Sequence, residues 1–209
     1  MSKKDYFLSF LAGLLIGLLL LPIIKAAKPD LYNQFSLYVI ILFFLGAPFG
    51  LTVFHVISRK IAIFWQLGKF AVTGFLNFCV DLGILSLLTF IFKDYFNIDA
   101  KKTAIAGLTF ITFYSLYKTA SFVIANINSY YWNKYWTFEQ NVEKKSEFFQ
   151  FFIVSLVGLI VNVFFASIIF KFVSPMAGLN SDQWGLIGAV VGSAAGLAWN
   201  FIGYKFIVF

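Results

Sequence analysis

The chain has 209 residues, of which 61% are hydrophobic and 12% charged, with a formal net charge of +7. This balance excludes a water-soluble domain, because apolar runs of the roughly 20 residues needed to cross a bilayer recur along the whole length. The excess of lysine calls for no nucleic-acid partner; basic residues beside helix ends, interleaved with Trp65, Trp132 and Trp136, suit membrane phospholipid headgroups and interfacial anchoring.

Six apolar segments are predicted in chain order, at about 6–24, 35–57, 67–92, 104–133, 148–173 and 184–208. The fold class is therefore an all-α polytopic membrane protein with six transmembrane helices. The first segment follows Lys3 and Lys4 and reads as a retained helix rather than a signal peptide. Its apolar stretch is longer than a usual leader, and Ala26-Ala27 is flanked by lysines instead of closing a cleavage site. The longest polar connection, about 138–147, leaves no room for a soluble domain. Cys79 is the single cysteine and has no intramolecular disulfide partner.

Basic residues set the expected orientation. Lys3, Lys4, Arg59, Lys60, Lys69, Lys134, Lys144, Lys145 and Lys205 fall on one side. Lys25, Lys28, Lys93, Lys101, Lys102 and Lys171 fall on the other. The positive-inside bias places the larger set, and both termini, in the cytoplasm. The expected location is the cytoplasmic membrane.

The sequence also repeats itself. Lys69-Phe70-Ala71-Val72-Thr73-Gly74 through Asp81 aligns with Gln150-Phe151-Phe152-Ile153-Val154-Ser155 through Asn162 at an offset of 81. Asn133 through Phe138 aligns with Tyr204 through Phe209 at an offset of 71. A shorter outer loop in the second copy absorbs the difference. Each copy, about 67–138 and 148–209, is then a two-helix hairpin, and the two run parallel because each has an even number of crossings. Residues 1–57 stand outside the duplication as a two-helix extension, which leaves 58–209 as a four-helix domain.

The stretch from Trp65 to Phe209 resembles the GtrA-like family, small membrane proteins regarded as translocases of polyprenyl-phosphate-linked sugars. The resemblance is carried by the Lys69-Phe70-x-x-x-Gly74 helix opening and the asparagine-rich run from Asn126 through Asn128 and Asn133-Lys134 to Trp136 and Phe138. The closing Gly203-Tyr204-Lys205-Phe206-Ile207-Val208-Phe209 is a degenerate second copy of that ending. Typical members have four helices, so the first two are a departure from the family pattern.

Within this frame, two charges stand out. Asp81 and Lys118 lie inside apolar segments, about 21 and 22 Å along their helices from the same membrane face, so an ion pair between them is expected. A lone intramembrane charge needs such a partner or a bound counter-ion. At 100° per residue, Ser115, Ser121, Ser129 and Asn133 share the face of Lys118, with Tyr114 close and Asn126 at its margin. Asn77 and Asp81 are i, i+4 neighbours on the preceding helix. Two polar stripes at one depth form a groove. In the second copy Asp81 becomes Asn162 and Lys118 becomes Ala189. Gly185, Gly188, Gly192 and Gly196 there form a small-residue ladder suited to close packing. The chemistry is thus assigned to the first hairpin. The blander alternative is that Asp81–Lys118 fixes helix register and that the amides only bond neighbouring helices. Lys134 and Trp136 read as interfacial anchors, with Lys134 also placed to receive a headgroup, and His55 as an interfacial residue.

The nine acidic residues include no Asp-x-Asp. The sequence carries no nucleophile–base motif, phosphate loop or metal-ligand cluster, so neither an enzyme nor a cofactor is expected. With the resemblance, the expected function is flipping of a polyprenyl-phosphate-linked monosaccharide across the cytoplasmic membrane for surface glycosylation. Lys118 would neutralise the phosphodiester, and Asn77, Asp81, Asn126, Asn133 and Lys134 would complete the substrate contacts. The product would be consumed by a polyprenyl-phosphate glycosyltransferase, and a homodimer is one way to complete the groove. The alternative is a membrane adaptor that recruits such a glycosyltransferase through its basic rim, including Lys144 and Lys145, without transporting.

Overall fold

Of the six apolar segments, all become helices. The computed structural model describes residues 1–105, 112–140, 146–176, 178 and 181–209. In chain order the helices are α1 (Lys3–Ala27), α2 (Pro29–Ser58), α3 (Ile63–Asp94), α4 (Phe113–Trp132), α5 (Glu147–Phe172) and α6 (Ser181–Gly203). Short π-helical segments, Asn133–Thr137 and Tyr204–Val208, continue α4 and α6. Five of the six helices are long and apolar enough to span a bilayer, which makes this a multi-pass all-α membrane protein. The sixth, α4, has the length but carries the polar stripe that lowers its apolarity.

The sequence places the start of the fourth helix at 104, and this is corrected. Residues 104 and 105 are not helical, 106–111 lie outside the described residues, and the helix begins at Phe113. Local chemistry explains the late start. Thr112 and Ser115 form a capping box, with the Thr112 hydroxyl accepting from the Ser115 backbone N–H at 3.3 Å. Between these two residues, the Phe113 and Tyr114 N–H groups donate to the carbonyls of Lys102 and Ala100. The backbone donors that would extend the helix are committed elsewhere.

The chain forms two compact units, Met1–Glu139 and Gln140–Phe209. In the first, α1 packs on α2 and α3, and α3 packs on α4. Close approach of α1 to α2 depends on Gly13 and Gly17, one turn apart. A Cβ at Gly13 would lie 2.2 Å from the Phe43 carbonyl oxygen, and one at Gly17 would lie 2.8 Å from the Ile40 Cα. This is small-xxx-small packing, which lets backbones touch where no hydrophobic drive exists between helices in lipid. Ala12, Ile16, Leu51, Leu76, Cys79, Ala125 and Trp136 close the core of this unit. Much of the remaining apolar surface is exposed, as on Phe49, Leu42 and Phe78, and in a bilayer it faces lipid.

In the second unit α5 packs on α6 along glycines 192 and 196. Phe151 stacks on Tyr204 at 4.3 Å, and Tyr204 also shares a hydrogen bond of 2.7 Å with Ser155.

Candidate functional site

The charge that α3 carries through its apolar length is Asp81, nineteenth of its thirty-two residues. Lys118 donates to Asp81 Oδ2 in a short ion pair. Ser121, one turn further along α4, donates to Asp81 Oδ1 at 2.7 Å and also reaches the Lys118 carbonyl. Both carboxylate oxygens are therefore satisfied, as a charge removed from water requires. The expected ion pair is present, but Lys118 does not sit at mid-segment. With the helix starting at Phe113, it lies one and a half turns from the α4 N-terminus.

The pair is not sealed. The Lys118 side chain is 41% exposed and that of Asp81 23%. Part of the Lys118 side chain is thus open at the surface of the chain, on a helix pair otherwise rich in apolar groups. A group with this placement can add a second anion to its coordination without first breaking the bond to Asp81.

The other expected contacts are placed unequally. Asn126 is buried and donates to its own helix, to the Phe122 carbonyl at 2.9 Å. Asn133 is buried and donates to the Ser129 carbonyl at 2.8 Å, while its Oδ1 meets no hydrogen-bond donor. Asn77 Oδ1, four residues before Asp81, is likewise buried without a donor. Such acceptors are the kind of groups a hydroxyl-rich ligand satisfies. Ser115 is taken up by the helix cap.

Two residues read as interfacial anchors are corrected. Lys134 is buried, 3.3 Å from the Tyr130 hydroxyl and over the Tyr130 and Tyr135 rings. Trp136 is 1% exposed and points inward. The burial of Trp136 goes with a cluster that the sequence reading did not find. Trp136 Nε1 donates to Asp5 Oδ1 at 3.1 Å, and Lys69 Nζ meets the same oxygen at 2.9 Å. Lys69 also bonds Glu139 at 2.7 Å and lies 4.7 Å from the Trp65 ring centroid. Asp5 Oδ2 takes the Ser2 backbone N–H at 3.0 Å, closing the α1 capping box. The Ser2-x-x-Asp5 spacing was the available signal, since it marks an ordered helix start rather than a loose terminus. Lys144 and Lys145 of the basic rim lie outside the described residues.

Among the described residues no group of three or more His, Cys, Asp or Glu is arranged to hold a metal ion. The family model described as GtrA/DPMS, transmembrane domain, matches residues 69–209, from the seventh residue of α3 through the closing π-helical segment. Neither the curated proteins nor the solved structures contain a match to the chain.

Proposed function

From the premise that the chain belongs to the GtrA/DPMS transmembrane-domain family, we propose that it flips a polyprenyl-phosphate-linked monosaccharide across the cytoplasmic membrane, with both termini in the cytoplasm. One observation carries the reading: Asp81, deep in the apolar α3, is paired with Lys118, whose side chain is partly exposed at the surface. The isoprenoid tail is at home in lipid, so only the head needs cover. Its single phosphodiester charge matches the one ammonium, and the sugar hydroxyls match the unfilled acceptor on Asn77, one turn from Asp81.

In this mechanism Lys118 receives the phosphodiester, and Asp81 is its counter-charge between cycles. Ser121 holds the carboxylate in place when Lys118 turns to the substrate. No bond is made or broken. Consumption of the lipid-sugar by a glycosyltransferase on the far side supplies the direction.

The test is appearance of lipid-sugar on the outer face of vesicles reconstituted with equal amounts of wild type or Lys118→Ala. Losing the charge contact, at about 1.5–3 kcal/mol, slows flipping roughly tenfold to a hundredfold. Equal rates remove Lys118 from the mechanism and favour the adaptor role.

A further inference from the structure

The Asp5 cluster has an asymmetry of origin. Its donors, Lys69 and Trp136, lie within the segment that matches the family, whereas the carboxylate they share lies on α1, outside that segment. Both donors converge on one oxygen, Asp5 Oδ1. A buried ammonium and a buried indole N–H require an acceptor. Glu139, 55% exposed, answers only the lysine. The family-matched segment therefore builds a place for an oxyanion between Lys69 and Trp136.

We propose that Lys69 and Trp136 form an anion site for the phosphate of a membrane lipid near one face of the bilayer, and that the Asp5 carboxylate occupies it as a built-in competitor. Lys69 is the seventh residue of α3, about 9 Å along the helix from its start, within reach of a headgroup. A phosphate oxygen is, like the carboxylate oxygen, an anionic acceptor for charge-assisted hydrogen bonds. Displacing Asp5 frees the first turn of α1, whose cap Asp5 also holds through Ser2. The extra N-terminal helix thus gates lipid entry. This rests on the reading of the chain as a carrier of phosphorylated lipid, but its readout is binding and not transport. A failure here leaves the Lys118 result standing, and the reverse also holds.

The probe is dodecyl phosphate, titrated by ³¹P NMR into the full chain in dodecyl maltoside micelles. Asp5→Asn keeps an oxygen for Ser2 but removes the competing charge, and should bind about tenfold more tightly than wild type. Adding Lys69→Gln should abolish the gain. Equal affinity of wild type and Asp5→Asn, or a gain that survives Lys69→Gln, overturns the proposal. Hydrogen exchange on the wild type decides the matter if either variant fails to fold. Amides of residues 2–6 should exchange faster with dodecyl phosphate than with dodecyl maltoside alone; unchanged exchange at saturating dodecyl phosphate overturns it.

Discussion

The two hairpins place the same positions in contact and fill them with opposite chemistry. In the first, Asp81 on α3 meets Ser121 on α4; in the second, Asn162 on α5 meets Gly192 on α6, at the sequence offsets of 81 and 71. Rings at their ends correspond too: Phe70 lies 6.5 Å from Phe138, and Phe151 lies 6.3 Å from Phe209. Where the first hairpin spends its seam on a charge pair, the second brings its backbones together. A Cβ at Gly192 would fall 2.4 Å from the Asn162 carbonyl oxygen, and one at Gly196 would fall 2.8 Å from that of Gly158. A shared scaffold thus carries a polar site in one copy and a tight joint in the other, because small residues and ion pairs need different separations.

This contrast can be broken at its ends first. Trp136 and Ile207 are counterparts, but Trp136 is buried on Asp5 while Ile207 is 54% exposed. Trp136→Ala should cost about 3–5 kcal/mol of stability, and Ile207→Ala within about 0.5 kcal/mol, as read by thermal unfolding in detergent. Inverting that order would mean the two endings do not differ as described.

At the seam, Gly192→Val should cost about 1–3 kcal/mol or more, since backbone at 2.4 Å cannot yield as a side chain can. The same assay applies, and an unchanged midpoint would show that α5 and α6 are not in close contact. A smaller effect than at Gly192 is expected for Ser121→Ala, the partner position in the first hairpin. It removes one hydrogen bond to Asp81, worth about 1–2 kcal/mol, and leaves the ion pair in place. A loss as large as that of Trp136→Ala would mean that the serine, rather than Lys118, carries the carboxylate.

The helices were legible because unbroken apolar length is a strong signal, and no tertiary contact overrides it in lipid. Asp81–Lys118 was legible for a related reason: two opposite charges in such segments have few other partners. The start of α4 was not, because composition does not distinguish an apolar approach from a helix until Thr112 and Ser115 cap it. Trp136 misled for another reason. Near a helix end it matches an interfacial anchor in type, and its burial goes with a hydrogen bond to Asp5, 131 residues away in sequence. Nothing in local pattern joins residues so far apart. Gly13 and Gly17 signal close packing through their spacing, but which helix they meet is a tertiary fact.

The central claim is that the first hairpin alone holds a phosphorylated isoprenoid, through Lys118. Mass spectrometry of the lipids that copurify with wild type, Lys118→Ala and Gln150→Ala tests it most directly. Wild type and Gln150→Ala, which alters the second copy, should retain polyprenyl-phosphate sugar in equal amount, with retention down roughly tenfold in Lys118→Ala. Equal retention in all three proteins, or none in the wild type, contradicts the account.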